Sequence, residues 1–189
     1  MLRPEDVTAC LVTRGDQPEQ MRLIIDTLPY GEIIVWDNSR REHDLKTAGR
    51  YAAMSMAQND VVYFQDDDVL FSHHDELLAA YEPGTITAVY AHGENDGGYG
   101  DLPLVGAGAL ADRHAVAHAL ETLEQDDESL AYADFHVGVL TPFKHVDLPF
   151  LVDMGIAQHP SRLCNQPWAA EAKRRVTERA RAIRDNVCV

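Results

Sequence analysis

The chain has 189 residues and a formal net charge of −15, and its composition is globular, with 46% hydrophobic and 25% charged residues. This length predicts one domain with a substantial core, and the composition excludes a disordered chain. So acidic a surface repels phosphate polymers at long range, which argues against a nonspecific nucleic-acid-binding protein.

The first third of the chain alternates strand-like and helix-like segments. Residues 7–12 form an apolar run typical of a buried strand, and the capping acid, early proline and glutamate of Asp16-Gln17-Pro18-Glu19 then predict a helix. Its apolar residues recur with helical spacing at Met21, Ile24, Ile25 and Leu28. Strands predicted over residues 33–36 and 61–65 flank a helix over 45–57. This β-α-β-α-β order predicts parallel strands with right-handed crossovers.

Polar or acidic groups follow each of these three strands. The strand ends are Thr13-Arg14-Gly15, Asp37-Asn38 and Asp66-Asp67-Asp68. Ligands of parallel sheets bind outside the carboxyl ends of the strands. The sequence therefore predicts a ligand site at this edge of the sheet.

The later elements are less regular. In chain order we predict a helix over residues 74–81, a strand over 86–91, a glycine-rich loop over 93–100, a helix over 113–123, an acidic turn over 124–128 and a helix over 168–185. Residues 104–110 are predicted as a strand that contains Gly106 and Gly108. Glycines inside a strand favour a bulge or the close approach of a ligand.

The strongest chemical signal is the carboxylate triplet Asp66-Asp67-Asp68 at the end of an apolar strand. Three adjacent carboxylates repel one another, which is costly unless a cation is bound. Side chains of an extended segment alternate faces, so we expect Asp66 and Asp68 on one side and Asp67 on the other. Such hard oxygen ligands suit Mn²⁺ or Mg²⁺, which would neutralise charge on a departing diphosphate. The alternative is a solvated acidic turn, which the apolar residues on both sides disfavour.

Three features follow one another in the chain: a strand followed by Thr-Arg-Gly, a second strand ending in Asp-Asn and a third strand ending in a DxD motif. Their combination resembles the nucleotide-binding half of GT-A fold glycosyltransferases, especially family-2-like members. The resemblance is carried by residues 1–70. It implies a single α/β domain over residues 1–189 with the Rossmann-like three-layer α/β/α GT-A architecture and a mostly parallel central sheet. The implied parts are a nucleotide-binding half (1–70), an acceptor and catalytic half (71–167) and a C-terminal helix (168–189).

The resemblance also implies the ligands and the residues that bind them. The donor would be a nucleotide-diphosphate sugar, with a UDP-sugar as the first expectation, and the cofactor Mn²⁺ or Mg²⁺. The implied donor-binding residues are Thr13, Arg14, Gly15, Asp37, Asn38, Arg50, Asp66, Asp67, Gly106 and Gly108. The implied metal ligands are Asp66, Asp68 and His159. Taken without the resemblance, Arg14 could be a surface charge and Asp37-Asn38 could cap a turn.

The acidic motif that supplies the catalytic base in inverting members is similar to Tyr132-Ala-Asp134-Phe-His136. Asp134 is therefore the implied base, with Asp153 and His136 as alternatives. The implied reaction of this hexosyl- or pentosyltransferase is direct displacement at the anomeric carbon, with Asp134 taking a proton from an acceptor hydroxyl. Inversion follows from the resemblance alone.

Two other function classes stay open. A haloacid-dehalogenase-type phosphohydrolase also carries DxD after a strand, and a non-catalytic module could use the aspartates to hold a structural ion. Three features argue against the phosphohydrolase. The motif follows the third strand rather than the first, Leu70 stands where a Thr or Val is expected, and Lys144 is the sole lysine between residues 47 and 172.

The acceptor is not identified by the sequence. Residues 169–189 carry six basic and three acidic residues, a local charge of +3, whereas the remainder has ten basic and 28 acidic residues. This pattern favours a solvated charged face over an apolar stripe, with docking of a polyanion as the alternative. A nucleic acid is thus possible as an acceptor only, such as a modified base in DNA, and a cell glycan is the other expectation.

Cysteine usage and hydropathy bear on the compartment. Cys10, Cys164 and Cys188 are an odd number without a CxxC pair, which favours free thiols over a disulfide framework or a zinc site. No apolar stretch approaches the roughly 20 residues that span a bilayer, and the N-terminus lacks the apolar run of a signal peptide. The sequence therefore predicts a cytoplasmic protein without a transmembrane segment.

Overall fold

The computed structural model describes residues 2–89, 91–92, 102–149 and 162–187. The strands are β1 (Val7–Thr13), β2 (Glu32–Asp37), β3 (Val61–Gln65), β4 (Ile86–Ala88), β5 (Ala91–His92), β6 (Leu102–Pro103), β7 (Ala109–Asp112) and β8 (Phe143–His145). The helices are α1 (Pro18–Thr27), α2 (Gly49–Met54), α3 (His74–Ala80), α4 (Arg113–Leu120), α5 (Asp127–Ala131), α6 (Ala133–Leu140) and α7 (Ala169–Val187).

Six strands form one mixed sheet in the order β2-β1-β3-β7-β4-β8, and β5 pairs with β6 in a separate ribbon. β1 is parallel to both β2 and β3, and β4 is parallel to β8, whereas β7 runs antiparallel between β3 and β4. The predicted mostly parallel sheet is confirmed. Because Thr13 pairs with Asp37 and Leu11 with Gln65, the carboxyl ends of β1, β2 and β3 lie at one edge.

Side chains that alternate along β1 and β3 cover the two faces of the sheet with separate hydrophobic clusters. On one face Cys10 and Phe64 pack with residues of α2, α4 and α6. On the other face Tyr63 packs with Leu77 of α3, and Leu11 packs with Ile24 of α1. The result is the predicted three-layer α/β/α arrangement.

Several predicted bounds are wrong for identifiable reasons. Residues 104–110 are not a strand, because Val105–Ala107 form a 3-10 turn and Gly108 adopts a φ of +114° before β7 begins. Asp16 does not cap α1. The residue at the cap is Gln17, without a side-chain hydrogen bond, and Asp16 pairs with Arg14 instead. In the predicted acidic turn, Asp126 accepts a hydrogen bond from the Ser129 N–H and begins α5.

The helix predicted over residues 45–57 is a 3-10 turn (Lys46–Ala48) continued by the six residues of α2. No helix was predicted over the residues of α6, Ala133–Leu140. Six of the eight residues of α6 are buried, so its apolar side chains lie on all sides of the helix. Its sequence therefore lacks the alternation of an apolar and a polar face by which a helix is recognised.

The C-terminal helix α7 is confirmed, and its apolar stripe packs on α6. Ala172 and Val176 are buried in one cluster with Phe135 and Val139. Its basic face is paired within the protein, because four of the six basic residues make ion pairs, namely Arg174, Arg175, Arg179 and Arg184. Arg175 and Arg179 both bind Glu128 of α5. The idea that this helix docks a nucleic-acid acceptor is therefore not supported.

Among the helices of the described residues, none combines the length and the apolar character of a transmembrane span. The predicted glycine-rich loop at residues 93–100 lies outside the described residues, as do His159, Asp153 and Cys188. The other two cysteines are free thiols: Cys10 is buried and Cys164 is exposed.

Candidate active site

A cavity of about 360 Å³ lies at the carboxyl ends of β1, β2 and β3, and we call it the strand-end cavity. Parts of α5, α6 and the 3-10 turn Leu163–Asn165 also line it. The structure brings eight of the predicted site residues together there: Thr13, Arg14, Asn38, Arg50, Asp66, Asp67, Asp68 and Asp134. Residues separated by more than one hundred positions in the sequence therefore share one cavity.

All three aspartates of the triplet line the strand-end cavity, so the expected alternation of faces is wrong. The reason is that β3 ends at Gln65, and Asp67 and Asp68 lie in a turn rather than an extended segment. Burial raises the pKa of Asp67, and the neighbouring Asp66 raises it further, whereas a hydrogen bond from Thr13 opposes the shift.

Other predicted residues lie beside the cavity and support its walls. Asp37 accepts hydrogen bonds from the Ser39 N–H (3.0 Å) and Oγ (2.6 Å), and this arrangement caps a turn. Gly15 has a φ of +78°, and a Cβ there would collide with Ser39 and Asp37. Asp37 is not among the described residues that line the cavity, and its hydrogen bonds are those of a turn cap.

The two glycines of the predicted 104–110 strand allow neighbouring side chains to approach the backbone closely. The Gly106 carbonyl accepts a hydrogen bond from the Asp66 N–H (2.7 Å), and a Cβ on Gly106 would overlap the Asp66 carboxylate. Gly108 supplies the positive φ that starts β7 next to Tyr63 and Phe71. The close approach predicted for these glycines is thus made by an aspartate carboxylate and by aromatic rings.

A buried arginine links the triplet to the predicted base. Arg50 is 1% exposed, and its Nη2 pairs with Asp66 Oδ1 and lies 3.6 Å from Asp134 Oδ2. The Tyr51 hydroxyl donates to Asp134 Oδ1 at 2.6 Å. Consecutive residues at the start of α2 thereby hold both oxygens of Asp134.

Burial and the charge of Arg50 shift the pKa of Asp134 in opposite directions. Burial raises the pKa of Asp134, the Arg50 guanidinium lowers it, and Asp66 raises it again, with a net shift above the ordinary value. Burial disfavours the charged form of Arg50, but Asp134 and Asp66 outweigh that effect and raise the arginine pKa. Arg50 therefore stays a cation, and Asp134 becomes a stronger base than an exposed aspartate.

His136, an alternative base, is placed elsewhere. It is 3% exposed, and its Nε2 lies 3.0 Å from the Ala119 carbonyl and 3.1 Å from Thr122 Oγ1. Burial lowers its pKa. These contacts direct the ring towards α4 and the turn after it, and His136 is not among the described residues that line the cavity, whereas Asp134 is.

Asp68 is the most buried member of the triplet, at 3% exposure. Its Oδ2 pairs with Arg162, while its buried Oδ1 has no hydrogen-bond partner among the described residues. A buried carboxylate oxygen without a partner is costly, and a cation would satisfy it. The donor set, all carboxylate oxygen, fits a hard divalent ion.

The described residues contain no group of three or more His, Cys, Asp or Glu side chains arranged to hold a metal ion. The aspartates therefore fit a metal only if phosphate oxygens and water supply further ligands, as is usual for Mg²⁺ bound with a phosphate. Arg162 competes for Asp68 and would have to share it.

Sequence reasoning missed several cavity residues. Lys46, Arg162 and Lys173 line the cavity, the last two from segments after residue 161. Tyr51 is not among the lining residues, but its hydroxyl binds Asp134. Lys46 adopts a φ of +52°, a backbone conformation that costs energy for a residue with a side chain. Residues in such conformations cluster at functional sites. A lysine carries no sequence signal of such a conformation.

Comparison with solved structures identifies the fold. The catalytic domain of Drosophila β1,4-galactosyltransferase 7, crystallised with xylobiose, aligns with a TM-score of 0.52 and 17% identity over 82% of this chain and 74% of that chain. A mutant of that Drosophila enzyme in complex with manganese, UDP-Gal and xylobiose aligns with a TM-score of 0.54 and 16% identity over the same shares.

A mannosyltransferase from Pyrobaculum calidifontis, in complex with GDP-Man and Mn²⁺, aligns with a TM-score of 0.51 and 11% identity over 96% of this chain and 76% of that chain. No protein-family model matches the sequence, and no curated protein matches it. At these identities the likeness establishes the fold, and this fold is that of the GT-A glycosyltransferases.

Proposed function

We propose that the protein is a metal-dependent glycosyltransferase that moves a sugar from a nucleotide-diphosphate donor to an acceptor hydroxyl. The observation that carries the proposal is the strand-end cavity, which unites the three aspartates after β3 with the Arg50–Asp134 pair. The GT-A fold supports it, since similar structures contain nucleotide sugars together with manganese.

The charges of the strand-end cavity fit a diphosphate only with a cation present. Six aspartates line it and would repel a diphosphate alone, namely Asp16, Asp44, Asp66, Asp67, Asp68 and Asp134. Arg14, Lys46, Arg162 and Lys173 also line the cavity and would attract phosphate oxygens. We expect residues 1–70 to contact the nucleotide, with a UDP-sugar as the first candidate donor.

Asp66 and Asp68 would hold Mn²⁺ or Mg²⁺, which when bound supplies Lewis-acid stabilisation of the leaving diphosphate. Arg50 neutralises Asp66 from the buried side and keeps its carboxylate in place. Gly106 lets the backbone approach Asp66, whose N–H donates to the Gly106 carbonyl.

Asp134 acts as the general base in this proposal. Its carboxylate takes the proton of the acceptor hydroxyl as that oxygen attacks the anomeric carbon of the sugar. Tyr51 and Arg50 fix the orientation of the carboxylate before the acceptor arrives. Displacement by an acceptor from the face opposite the diphosphate would invert the anomeric configuration.

Thermal shift with a panel of nucleotide sugars and Mn²⁺ tests the proposal, because a donor that binds the folded state raises the melting temperature. We expect one donor to raise it and to be hydrolysed slowly. Asp68→Asn should abolish both effects, while the exposed α1 variant Asp26→Asn, which makes the same chemical change, should retain them.

Two results would overturn the proposal. One is a panel in which no nucleotide sugar stabilises the protein or is turned over. The other is release of inorganic phosphate from small phosphate esters, which would identify a phosphohydrolase.

A further inference from the structure

A second cavity of about 570 Å³ adjoins the strand-end cavity, and we call it the tryptophan cavity. Lys46, Ala131 and Leu163 line both cavities. Its other lining residues are Asp127, Glu128, Gln166 and Trp168. The three shared residues make the two cavities neighbours.

We infer that the tryptophan cavity is the acceptor subsite and that it binds an uncharged saccharide, with one sugar ring on the indole of Trp168. The inference rests on the proposed function and adds the acceptor class to it. The acceptor hydroxyl would then extend past the shared wall towards Asp134 in the strand-end cavity.

Trp168 is an exposed aromatic ring that the fold nevertheless holds in place. It is 46% exposed, although it stands directly before the buried stripe of α7. Its ring packs edge-on against Tyr132, with ring centroids 6.0 Å apart. Tyr132 is 4% exposed, and its hydroxyl donates to the Leu163 carbonyl at 3.0 Å. A supported ring with a free face suits the C–H face of a pyranose, whose positive hydrogens meet the negative π-face.

The charges in the tryptophan cavity select against a phosphorylated acceptor. Asp127 and Glu128 contribute two carboxylates, and Glu128 is fixed there by Arg175 at 2.6 Å and Arg179 at 2.8 Å. The one cation of the described lining, Lys46, is paired with Asp44 at 2.5 Å. Carboxylates accept hydrogen bonds from sugar hydroxyls but repel phosphates. A neutral saccharide therefore fits better than a nucleic acid or a phospholipid.

Asn38, the residue after β2, holds the junction between the cavities. The Asn38 amide donates to the Lys46 carbonyl at 3.1 Å, and its oxygen accepts from the Leu45 N–H at 3.0 Å. These bonds help to stabilise the positive φ of Lys46 at the shared wall. On the other side of the wall, Tyr132 stands two residues before Asp134. The same short segment therefore supports the stacking ring and carries the proposed base.

Tryptophan fluorescence tests the inference directly. The chain has two tryptophans, so Trp36→Phe leaves Trp168 as the single indole. We titrate this variant with xylobiose, cellobiose, maltose and lactose, and with a single-stranded thymidine hexamer. At least one disaccharide should change the emission saturably at millimolar concentration, and the hexamer should not. No saturable response to any disaccharide, or a response to the hexamer alone, would overturn the inference.

Transfer kinetics with the responding disaccharide give a second measurement in the parent background. Trp168→Ala should raise the acceptor KM about ten-fold, and Trp168→Phe should retain most of the affinity, because a phenyl ring still offers a stacking face. Met56→Ala, which removes another exposed apolar side chain, is the matched control. Equal KM values for Trp168→Ala and the control would contradict the subsite.

The donor assay separates the two possible failures. If nucleotide sugars with Mn²⁺ stabilise the protein and no disaccharide binds, only the acceptor inference fails. If neither ligand class binds, the proposed function fails with it.

Discussion

Replacing Arg50 with methionine removes the charge that two aspartates share, while keeping a long apolar side chain in place. Arg50 is 1% exposed, and the side chains of Asp66 and Asp134 are 35% and 15% exposed. Breaking a buried ion pair on one side costs about 3–5 kcal/mol, and the partial exposure of Asp66 favours the lower end. For a domain of this size, about 3 kcal/mol corresponds to a melting temperature lower by about 10 °C.

The loss should depend on pH, because Asp134 can be neutralised by a proton. Without Arg50 the folded-state pKa of Asp134 would rise further above its ordinary value of 3.8. An acid whose pKa is higher in the folded state than in the unfolded state destabilises the fold at a pH above its folded-state pKa. This loss of unfolding free energy becomes smaller as the pH falls towards the unfolded-state pKa. The difference in unfolding free energy between Arg50→Met and the parent should therefore shrink from pH 7 to pH 4.5.

Urea unfolding at these two pH values measures the effect. Arg3→Met is the matched control, since the Arg3 side chain is 64% exposed and its pairs with Glu5 and Asp6 are at the surface. It should leave the stability almost unchanged, because exposed ion pairs contribute little. An Arg50→Met protein as stable as this control at pH 7, or equally destabilised at both pH values, would refute the buried-pair argument.

Two further predictions concern single hydrogen-bonded groups. Tyr51→Phe removes the bond that lowers the pKa of Asp134, so the acid limb of the kcat/KM profile for transfer should shift to higher pH. Burial lowers the pKa of His74 to about 4 from 6.5, so the folded state binds this proton less readily than the unfolded chain. Stability should therefore fall as the pH drops from 6.5 to 4, by up to about 3 kcal/mol, and His74→Phe should lose that part of the pH dependence in urea unfolding.

Each of these has a clear contrary result. A Tyr51→Phe enzyme with an unshifted acid limb would show that the hydroxyl does not influence the base. A His74→Phe protein with the parent's slope of stability against pH would show that other groups account for it. The Tyr30 hydroxyl, 3.0 Å from His74 Nδ1, loses its partner in that variant, so the slope rather than the absolute stability is the relevant quantity.

The first half of the fold was predictable because its signals are local. The strands β1 to β3 have short apolar runs that end in polar residues, and that pattern is sufficient to place the triplet Asp66-Asp67-Asp68 at the edge of the sheet. The second half was less predictable. Burial on all sides hides the helical period of α6, and the φ of Gly108 depends on its tertiary surroundings.

For the site, too, the residues marked by a local motif could be predicted, whereas those that depend on tertiary contacts could not. Asp134 could be proposed from a motif, but its partner Tyr51 could not, because the contact joins residues 83 positions apart in the sequence. Arg50 was predicted to bind the donor. It lines the strand-end cavity, where it is buried and pairs with Asp66 and Asp134. Its role therefore follows from burial, which a sequence does not display.

The packing of α7 on α6 links two properties that an engineer would want to alter independently. Trp168 precedes the small buried residues Ala169 and Ala172, and the same helix presses on the segment that contains Asp134. Under the proposed function, a redesign of α7 to accommodate a different sugar would also move Asp134, the proposed base. Variants selected for new acceptors should therefore carry compensating changes in α6, and turnover should vary together with acceptor choice.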